Sequence, residues 1–496
     1  MEVVAKKFHN CKILKSLTLS YGLTEIGELA FYDCRNLETV IIPETVTKIG
    51  PNAFTRSGLK SITLPGGRLT EIEESVFSVC YKLETVIIPE TVTKIGPGAF
   101  VFSGLKTITL PHGLTEIGNN AFCACYNLET MVIPETVTKI DRYAFSRSGL
   151  KSFILPNGRL TEIGEGVFRN CEKLEIVVIP KTVTKIDTHA FAESGLKSIT
   201  LPGGRLTEIG EYAFYKCRNL ETIVIPETVT KIALGTFESS GLKSITLLGG
   251  RLTEIGKDAF CECRNLETVD IPETVTKIGY DAFWCSGLKS IILPHGLTEI
   301  GEGVFAGCRN LENIVIPEAV TKIGRYAFMG SGLKSITLPH GLTEIGEGVF
   351  RNCVNLENID IPETTTKIGP RVFEGSGLRS IILPHGVEIE EDAFRNCDNL
   401  ETIVIPETIT KIGPYAFAYS GLKSFILPDG RLTEIEEGAF SGCRNLETVV
   451  IPETVTKIGP QVFAESGLKS IILPHGVEIG EGVFNGCHNL VMEYRK

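Results

Sequence analysis

Cysteine and histidine are the residues here whose chemistry invites a catalytic or metal-binding reading, and this 496-residue chain has 15 of the first and 8 of the second. Their spacing is regular. Cys34, Cys80, Cys125, Cys171, Cys217, Cys263, Cys308, Cys353, Cys397, Cys443 and Cys487 each stand three residues after a phenylalanine, and Cys11 follows Phe8 in the same way. Midway between them the same place carries serine, as at Ser57, Ser103 and Ser148. Five histidines, His112, His295, His340, His385 and His475, share one Pro-His-Gly context. A nucleophilic thiol needs a lowered pKa and a base, and a metal needs several ligands at one point. Residues that recur at a fixed period instead occupy equivalent places in a repeated element, so that element has to be defined first.

Two segment types alternate along the whole chain. One reads like Leu333 to Cys353, LKSITLPHGLTEIGEGVFRNC, and the other like Leu446 to Ser466, LETVVIPETVTKIGPQVFAES. We call them Cys coils and Ser coils. Cys coils begin at Leu14, Leu59, Leu105 and onward to Leu468; Ser coils begin at Leu37, Leu83, Leu128 and onward to Leu446. Every Ser coil has 22 residues and complete Cys coils have 22 to 24, the differences falling just after the proline. Insertions confined to one point mark a surface loop between fixed elements. The expected organisation is a half repeat at 1–13, tandem repeats over 14–489 and a partial repeat at 490–496.

Each coil opens with a strand pattern. In Leu59-Lys60-Ser61-Ile62-Thr63-Leu64 the first, fourth and sixth residues are apolar, and Pro65 ends the run. A second short pattern, Leu69-Thr70-Glu71-Ile72, leads on to Val76-Phe77. One such coil cannot bury its apolar face, but a stack can. The period is too short for a βαβ unit with a full helix, and parallel crossovers of this kind are right-handed. The expected fold class is therefore an α/β-type repeat solenoid dominated by short parallel strands, right-handed, with little helix and turns or 3-10 segments on the convex side.

The LxxIxLP strand, the LTxIGxxAF segment and the Cys or Ser three residues after the Phe resemble the BspA-like, or Treponema-type, leucine-rich repeat. The resemblance covers essentially the whole chain. It implies a curved solenoid with parallel strands on its concave face. It also implies a role in binding proteins, many members being surface proteins that engage host proteins or other cells.

Stacking accounts for most of the repeated residues without chemistry. Column cysteines stand two coils, roughly 9–10 Å, apart, beyond reach of a disulfide or a shared metal. They read as buried thiols packed beside a turn. Cys123, Cys261 and Cys285 fall outside the column and are the only thiols with scope to react or bridge. The Pro-His-Gly histidines are equally separated. The recurring glycines read as turn points with positive φ. The phenylalanines, Phe31 and Phe54 through Phe484, form a core spine with one ring per coil. Strand position two is Lys in Cys coils (Lys15, Lys60, Lys106) and Glu in Ser coils (Glu38, Glu84, Glu129), while the second segment reverses this with Glu71 and Glu116 against Lys94 and Lys139. Opposite charges then face each other on adjacent coils, and slipping one coil stacks like on like.

Net charge is −11 with no basic block, a poor match to nucleic acid or an anionic membrane, and no apolar run is long enough to span a bilayer. The start, MEVVAKKFHNCKIL, lacks the features of a secretory signal, so the expected compartment is cytoplasmic by default and the cell surface by family resemblance. No catalytic motif stands outside the repeat, and no cofactor or metal is expected. Positions that change from coil to coil flank the Phe column: Tyr143, Arg147, Tyr212, Tyr215, Tyr280, Trp284, Tyr326, Tyr415 and Tyr419. Tyr, Trp and Arg are common interface anchors, so these are the candidate partner-binding residues. The expected function is a non-catalytic, adhesin-like protein-binding scaffold. The alternative is a structural array that associates end to end through open sheet edges.

Overall fold

The computed structural model describes residues 2–4, 8–155 and 158–494. Of the terminal pieces expected at 1–13 and 490–496, residues 1, 5–7, 495 and 496 lie outside that description. The chain divides into two compact units, Met1–Leu252 and Thr253–Lys496. Each is a parallel β-solenoid with no helix among the described residues, so the leucine-rich-repeat architecture read from the sequence is the one observed. The far side of each coil is a tight turn, with no 3-10 segment among the described residues.

A single coil shows why. In Leu59–Lys82 the apolar positions Leu59, Ile62, Leu64, Leu69, Ile72, Val76 and Phe77 are all buried, while the strand Ser61–Thr63 alternates exposed, buried, exposed. That alternation is the period of two that a strand imposes on its side chains. First strands pair in parallel, coil on coil: Ser61–Thr63 with Thr85–Ile87, with Ser61 opposite Thr85 and Thr63 opposite Ile87. A second ladder runs beside it through Glu71–Ile72, Lys94–Ile95, Glu116–Ile117 and Lys139–Ile140. Its register sets Glu71 and Glu116 on either side of Lys94, so the charge alternation written in the sequence becomes alternation in space. Lys94 Nζ stands 3.3 Å from Glu71 and 3.9 Å from Glu116, and Lys139 stands 3.2 Å from Glu116.

The turn around the Phe satisfies its backbone by dividing its donors between two coils. In the coil of Phe54, the N–H groups of Ala53, Thr55 and Ser57 donate within the coil, to the carbonyls of Gly50, Asn52 and Phe54. Those of Asn52, Phe54 and Arg56 donate to Glu74, Val76 and Ser78 of the next coil, at 2.8–3.0 Å. Every N–H from Asn52 to Ser57 has a partner without any helix, as a buried backbone requires.

This arrangement bears out the reading of some glycines, such as Gly166 (57°) and Gly386 (82°), and corrects it for others. Gly50 and Gly58 are not left-handed. A Cβ on Gly50 would lie 2.7 Å from the Glu28 backbone nitrogen, and one on Gly58 would lie 2.2 Å from the Arg35 carbonyl oxygen. These glycines exist because one coil presses its backbone onto the coil before it. Positive φ falls two residues before and two after each Phe, on whatever residue stands there: Asn52 (57°) and Arg56 (58°), Tyr143 and Arg147 (56° each), Tyr415 (52°) and Tyr419 (59°). A left-handed L-residue costs about 1–2 kcal/mol. The inter-coil hydrogen bonds donated at these positions offset that cost, which is why the turn tolerates such varied side chains.

The Phe rings stack as a continuous spine within each unit. Centroids are 5.5 Å apart for Phe8–Phe31 and 5.4 Å for Phe214–Phe237 in the first unit, and 5.2 Å for Phe260–Phe283 and 6.1 Å for Phe463–Phe484 in the second, with planes within 18° of parallel.

Candidate protein-binding surface

The residues with chemical potential are placed by the Phe turn and the corner that follows it. Column thiols other than Cys11 and Cys487 are buried, and they donate to the carbonyl of the Phe in the preceding coil, as Cys80 does to Phe54 and Cys125 to Phe100, both at 3.1 Å. The preceding coil's serine lies against the same sulfur, Ser57 at 3.2 Å from Cys80 and Ser103 at 3.3 Å from Cys125. Burial pushes Cys80 up to about 11 and Cys125 to about 12, so these thiols stay protonated. All described cysteines are free. Outside the column, Cys261 is buried and Cys123 and Cys285 are half-buried. Burial raises the pKa of Cys123 and Cys285 too, the opposite of an activated nucleophile.

Four of the five Pro-His-Gly histidines meet a glutamate from the preceding Ser coil, a pairing that the sequence analysis missed, while His475 stacks on Tyr494. His112 Nδ1 is 3.3 Å from Glu90, His295 2.8 Å from Glu273 and His385 3.1 Å from Glu363. The backbone N–H of His295 also donates to Glu273. That bond first, and the ring second, hold the carboxyl below its usual range. These pairs are exposed, and among the described residues no group of three or more His, Cys, Asp or Glu is placed to hold a metal.

The nine candidate binding residues fall into two sets. Tyr143, Tyr212, Tyr326 and Tyr415 stand two residues before a Phe, in the left-handed position, and lie over the next coil. The Tyr143 hydroxyl donates to Glu165 and that of Tyr326 to Glu347, both at 2.5 Å, and the Tyr415 hydroxyl donates to Glu437. The carboxylate beside each phenol raises its pKa. Their rings cover glycines: a Cβ on Gly166 would fall 2.2 Å from the Tyr143 ring, and on Gly235 2.3 Å from the Tyr212 ring. Tyr212 also stacks on His189 at 5.2 Å and meets Tyr215 edge-on at 5.8 Å. These tyrosines are already engaged within the chain.

The remaining candidates are more open. Arg147 is exposed, Tyr280 is 60% exposed and Tyr419 47%, while Tyr215 and Trp284 are half-buried. The structure thus brings Tyr212 and Tyr215 together and leaves Tyr280 and Trp284 on one turn. It adds residues that the sequence analysis passed over: Tyr81 and Tyr126, exposed at the corner after the turn, and Phe102, exposed at the left-handed place two residues after Phe100. Their signal was present as positions that change from coil to coil: one residue past the column Cys for Tyr81 and Tyr126, and two past the Phe for Phe102. On the strand side the fifth position is exposed and largely β-branched, from Ile41 and Ile87 to Val404 and Ile426, broken by Asp270 and Asp360.

The family model of the BspA type leucine rich repeat region matches residues 2–129, 93–210, 207–332, 276–400 and 366–491. The chain belongs to the BspA-type leucine-rich-repeat family. Leucine-rich-repeat proteins are generally non-catalytic scaffolds that bind protein partners. Similar solved structures include a leucine-rich repeat protein from Bacteroides ovatus ATCC 8483, 26% identical over 80% of this chain and 79% of that one, with a TM-score of 0.44. A leucine-rich cell surface protein from Faecalibacterium prausnitzii A2-165 is 32% identical over 61% of this chain and 87% of its own, with a TM-score of 0.42. The pneumococcal vaccine antigen PcpA is 20% identical over 70% of this chain and 89% of its own, with a TM-score of 0.40. No curated protein matches. In this BspA-type array no helix among the described residues is long and apolar enough to cross a membrane.

Proposed function

We propose that the chain is a non-catalytic, adhesin-like scaffold that holds a protein partner on the turn side, beside the Phe column. The observation that carries this reading is the contrast within one coil. Strand and core residues repeat, whereas the residues flanking Phe145, Phe214, Phe283, Phe328 and Phe417 vary, most of all on the side after the Phe, and include the anchor-type side chains Tyr, Trp and Arg. Arg147, Tyr280 and Tyr419 offer open side chains, and Tyr215 and Trp284 offer ring faces. Tyr143, Tyr212, Tyr326 and Tyr415 shape the surface from within the chain.

The test begins with cross-linking in the native cell to identify a partner, followed by titration calorimetry with the purified pair. Replacing Arg147, Tyr280 and Tyr419 together by alanine is expected to weaken binding about tenfold or more, each buried anchor contributing about 1–2 kcal/mol. Unchanged affinity overturns the reading.

A further inference from the structure

The two coil types turn the corner after the Phe differently. A Cys coil passes from the column residue to the next leucine through two exposed residues, as in Cys34-Arg35-Asn36-Leu37, and a Ser coil through one glycine, as in Ser57-Gly58-Leu59. That glycine cannot carry a side chain: a Cβ would lie 2.2 Å from the Arg35 carbonyl oxygen at Gly58, 2.2 Å from that of Tyr81 at Gly104 and 2.1 Å from that of Tyr126 at Gly149. The corner edge is therefore notched at every Ser coil, with walls supplied by the Cys coils on either side.

In the first unit these notches are cationic and aromatic. The one floored by Gly58 is a cleft of about 570 Å³ walled by Arg35, Arg56, Tyr81 and Lys82. The one at Gly149, about 440 Å³, is walled by Tyr126, Arg147, Glu172 and Lys173. Between them Phe102 and Tyr126 meet at 6.4 Å and 53°. Elsewhere the chain pairs its charges closely, with strand lysines such as Lys60, Lys106 and Lys151 each 2.7–2.8 Å from a glutamate. Here, among the described residues, Arg56, Lys82, Arg147 and Lys173 form no ion pair; Arg56 instead lies over the Tyr32 ring at 6.0 Å. Of the nearby carboxylates, Asp33 is held by Arg35 at 2.8 Å. Glu38 and Glu129, within electrostatic reach of Lys82 and Lys173, are held by Lys60 and Lys151 at 2.7 Å, which leaves Glu172. Four cations without an ion pair of their own, interleaved with three exposed rings, stand out on a chain of net charge −11.

We propose that this edge, from Gly58 to Gly149, docks an extended acidic protein segment that carries a carboxylate at every third residue. The inference rests on the reading of the chain as a protein-binding scaffold and specifies where, and with what chemistry, a partner is held. Notches recur every second coil, about 9–10 Å apart. An extended or polyproline-like chain advances about 3.1–3.4 Å per residue, so each third side chain meets a notch and the residues between lie on the rings. The corresponding edge of the second unit has Arg264, Arg309 and Arg444 at the corner and Tyr419 beside it, but Gly330, Val354, Gly375 and Asp398 interrupt the series. A single-stranded nucleic acid also pairs cations with rings. Its charge on every nucleotide fits spaced notches poorly, and the acidic field of the chain opposes it.

The experiment titrates the 496-residue chain with fluorescent peptides of about twelve residues: one with Glu at every third position and Pro or Leu between, its isomer with the Glu residues clustered, its Gln counterpart, and a single-stranded oligothymidine. The spaced Glu peptide is expected to bind about tenfold more tightly than its clustered isomer, and the Gln peptide not at all. Binding should weaken with salt. The variant Arg56→Ala, Lys82→Ala, Lys173→Ala should lose about tenfold or more in affinity, while Lys289→Ala, Lys334→Ala, Lys423→Ala, which removes equal charge from the strand side, should not. Equal binding of the two Glu isomers, tighter binding of the oligothymidine, or indifference to the corner variant overturns the inference. If a native partner identified by cross-linking still binds the corner variant and is not displaced by the peptide, this inference fails and the scaffold reading stands. If no partner exists at all, the scaffold reading itself fails.

Discussion

Ser coils and Cys coils share a backbone and differ in what they do with it. In a Ser coil the corner is a glycine pressed against the coil before, and nothing projects. In a Cys coil the corner carries two exposed residues above a buried thiol. The two are also joined unequally. A Ser coil reaches forward to the Cys coil that follows through its strand glutamate (Glu129 to Lys151, 2.7 Å) and its serine (Ser148 to Cys171, 3.5 Å). Where it carries the left-handed tyrosine, that side chain reaches forward as well (Tyr143 over Gly166, with its hydroxyl on Glu165). The difference teaches that alternation serves two ends at once: it locks register inside and sets recess against projection outside.

Raising the pH should separate the two coil types most strongly. The folded thiols of the first unit lie at about 11 (Cys80, Cys171) and about 12 (Cys125, Cys217), against an ordinary 9.0, because burial disfavours the thiolate. A folded pKa above the unfolded one means that the stabilisation is complete below pH 9 and is lost as pH rises through 11 to 12. One unit above the ordinary value each thiol should cost about 1 kcal/mol. Replacing these four cysteines by serine should remove that part of the alkaline slope, measured by thermal unfolding from pH 8 to 10.5. A slope unaltered by the replacements breaks the comparison.

Next in size is the corner itself. Gly149→Ala drives a Cβ to 2.1 Å from the Tyr126 carbonyl and is expected to cost about 3 kcal/mol. Asn127→Ala, on the exposed Cys-coil corner beside it, should change stability by less than about 0.5 kcal/mol. Urea unfolding of the two variants, with proteolysis mapping around residue 149, measures the ratio. Smaller again is the tyrosine bridge. Tyr326→Phe removes the hydroxyl bond to Glu347 and should cost about 1 kcal/mol, whereas Tyr280→Phe, at an open position, should be neutral. Last, Glu116→Lys places three cations in a row with Lys94 and Lys139 and should cost about 0.5–1 kcal/mol, less at high salt.

Much of this architecture was legible before the structure. The strand pattern of Leu59 to Leu64, the Phe spine, the separated cysteines and the antiphase Lys/Glu ladders all follow from periodicity. What was not legible concerns backbone geometry. The glycines were assigned to positive φ as a class; Gly98, Gly166 and Gly386 do take it, Gly50 and Gly58 do not, and it falls as well on Asn52, Arg56, Tyr143 and Tyr415. No residue type marks those places, because inter-coil hydrogen bonds rather than side-chain preference select the conformation. For the same reason Tyr143, Tyr326 and Tyr415 looked free in the sequence and are tied down in the fold.

The sequence by itself determined the two-coil period, the parallel stacking and the buried side of every coil, since each is a statement about which residues recur and at what interval. Only the tertiary structure decided which side chains meet. Arg35, Arg56 and Lys82 are more than twenty residues apart in sequence from one to the next and make no basic block, yet stacking brings them to one notch. The physical reason is that a solenoid converts a separation of one coil in sequence into about 4.8 Å in space. Charge and shape on its edge are therefore properties of the stack and not of any stretch of chain.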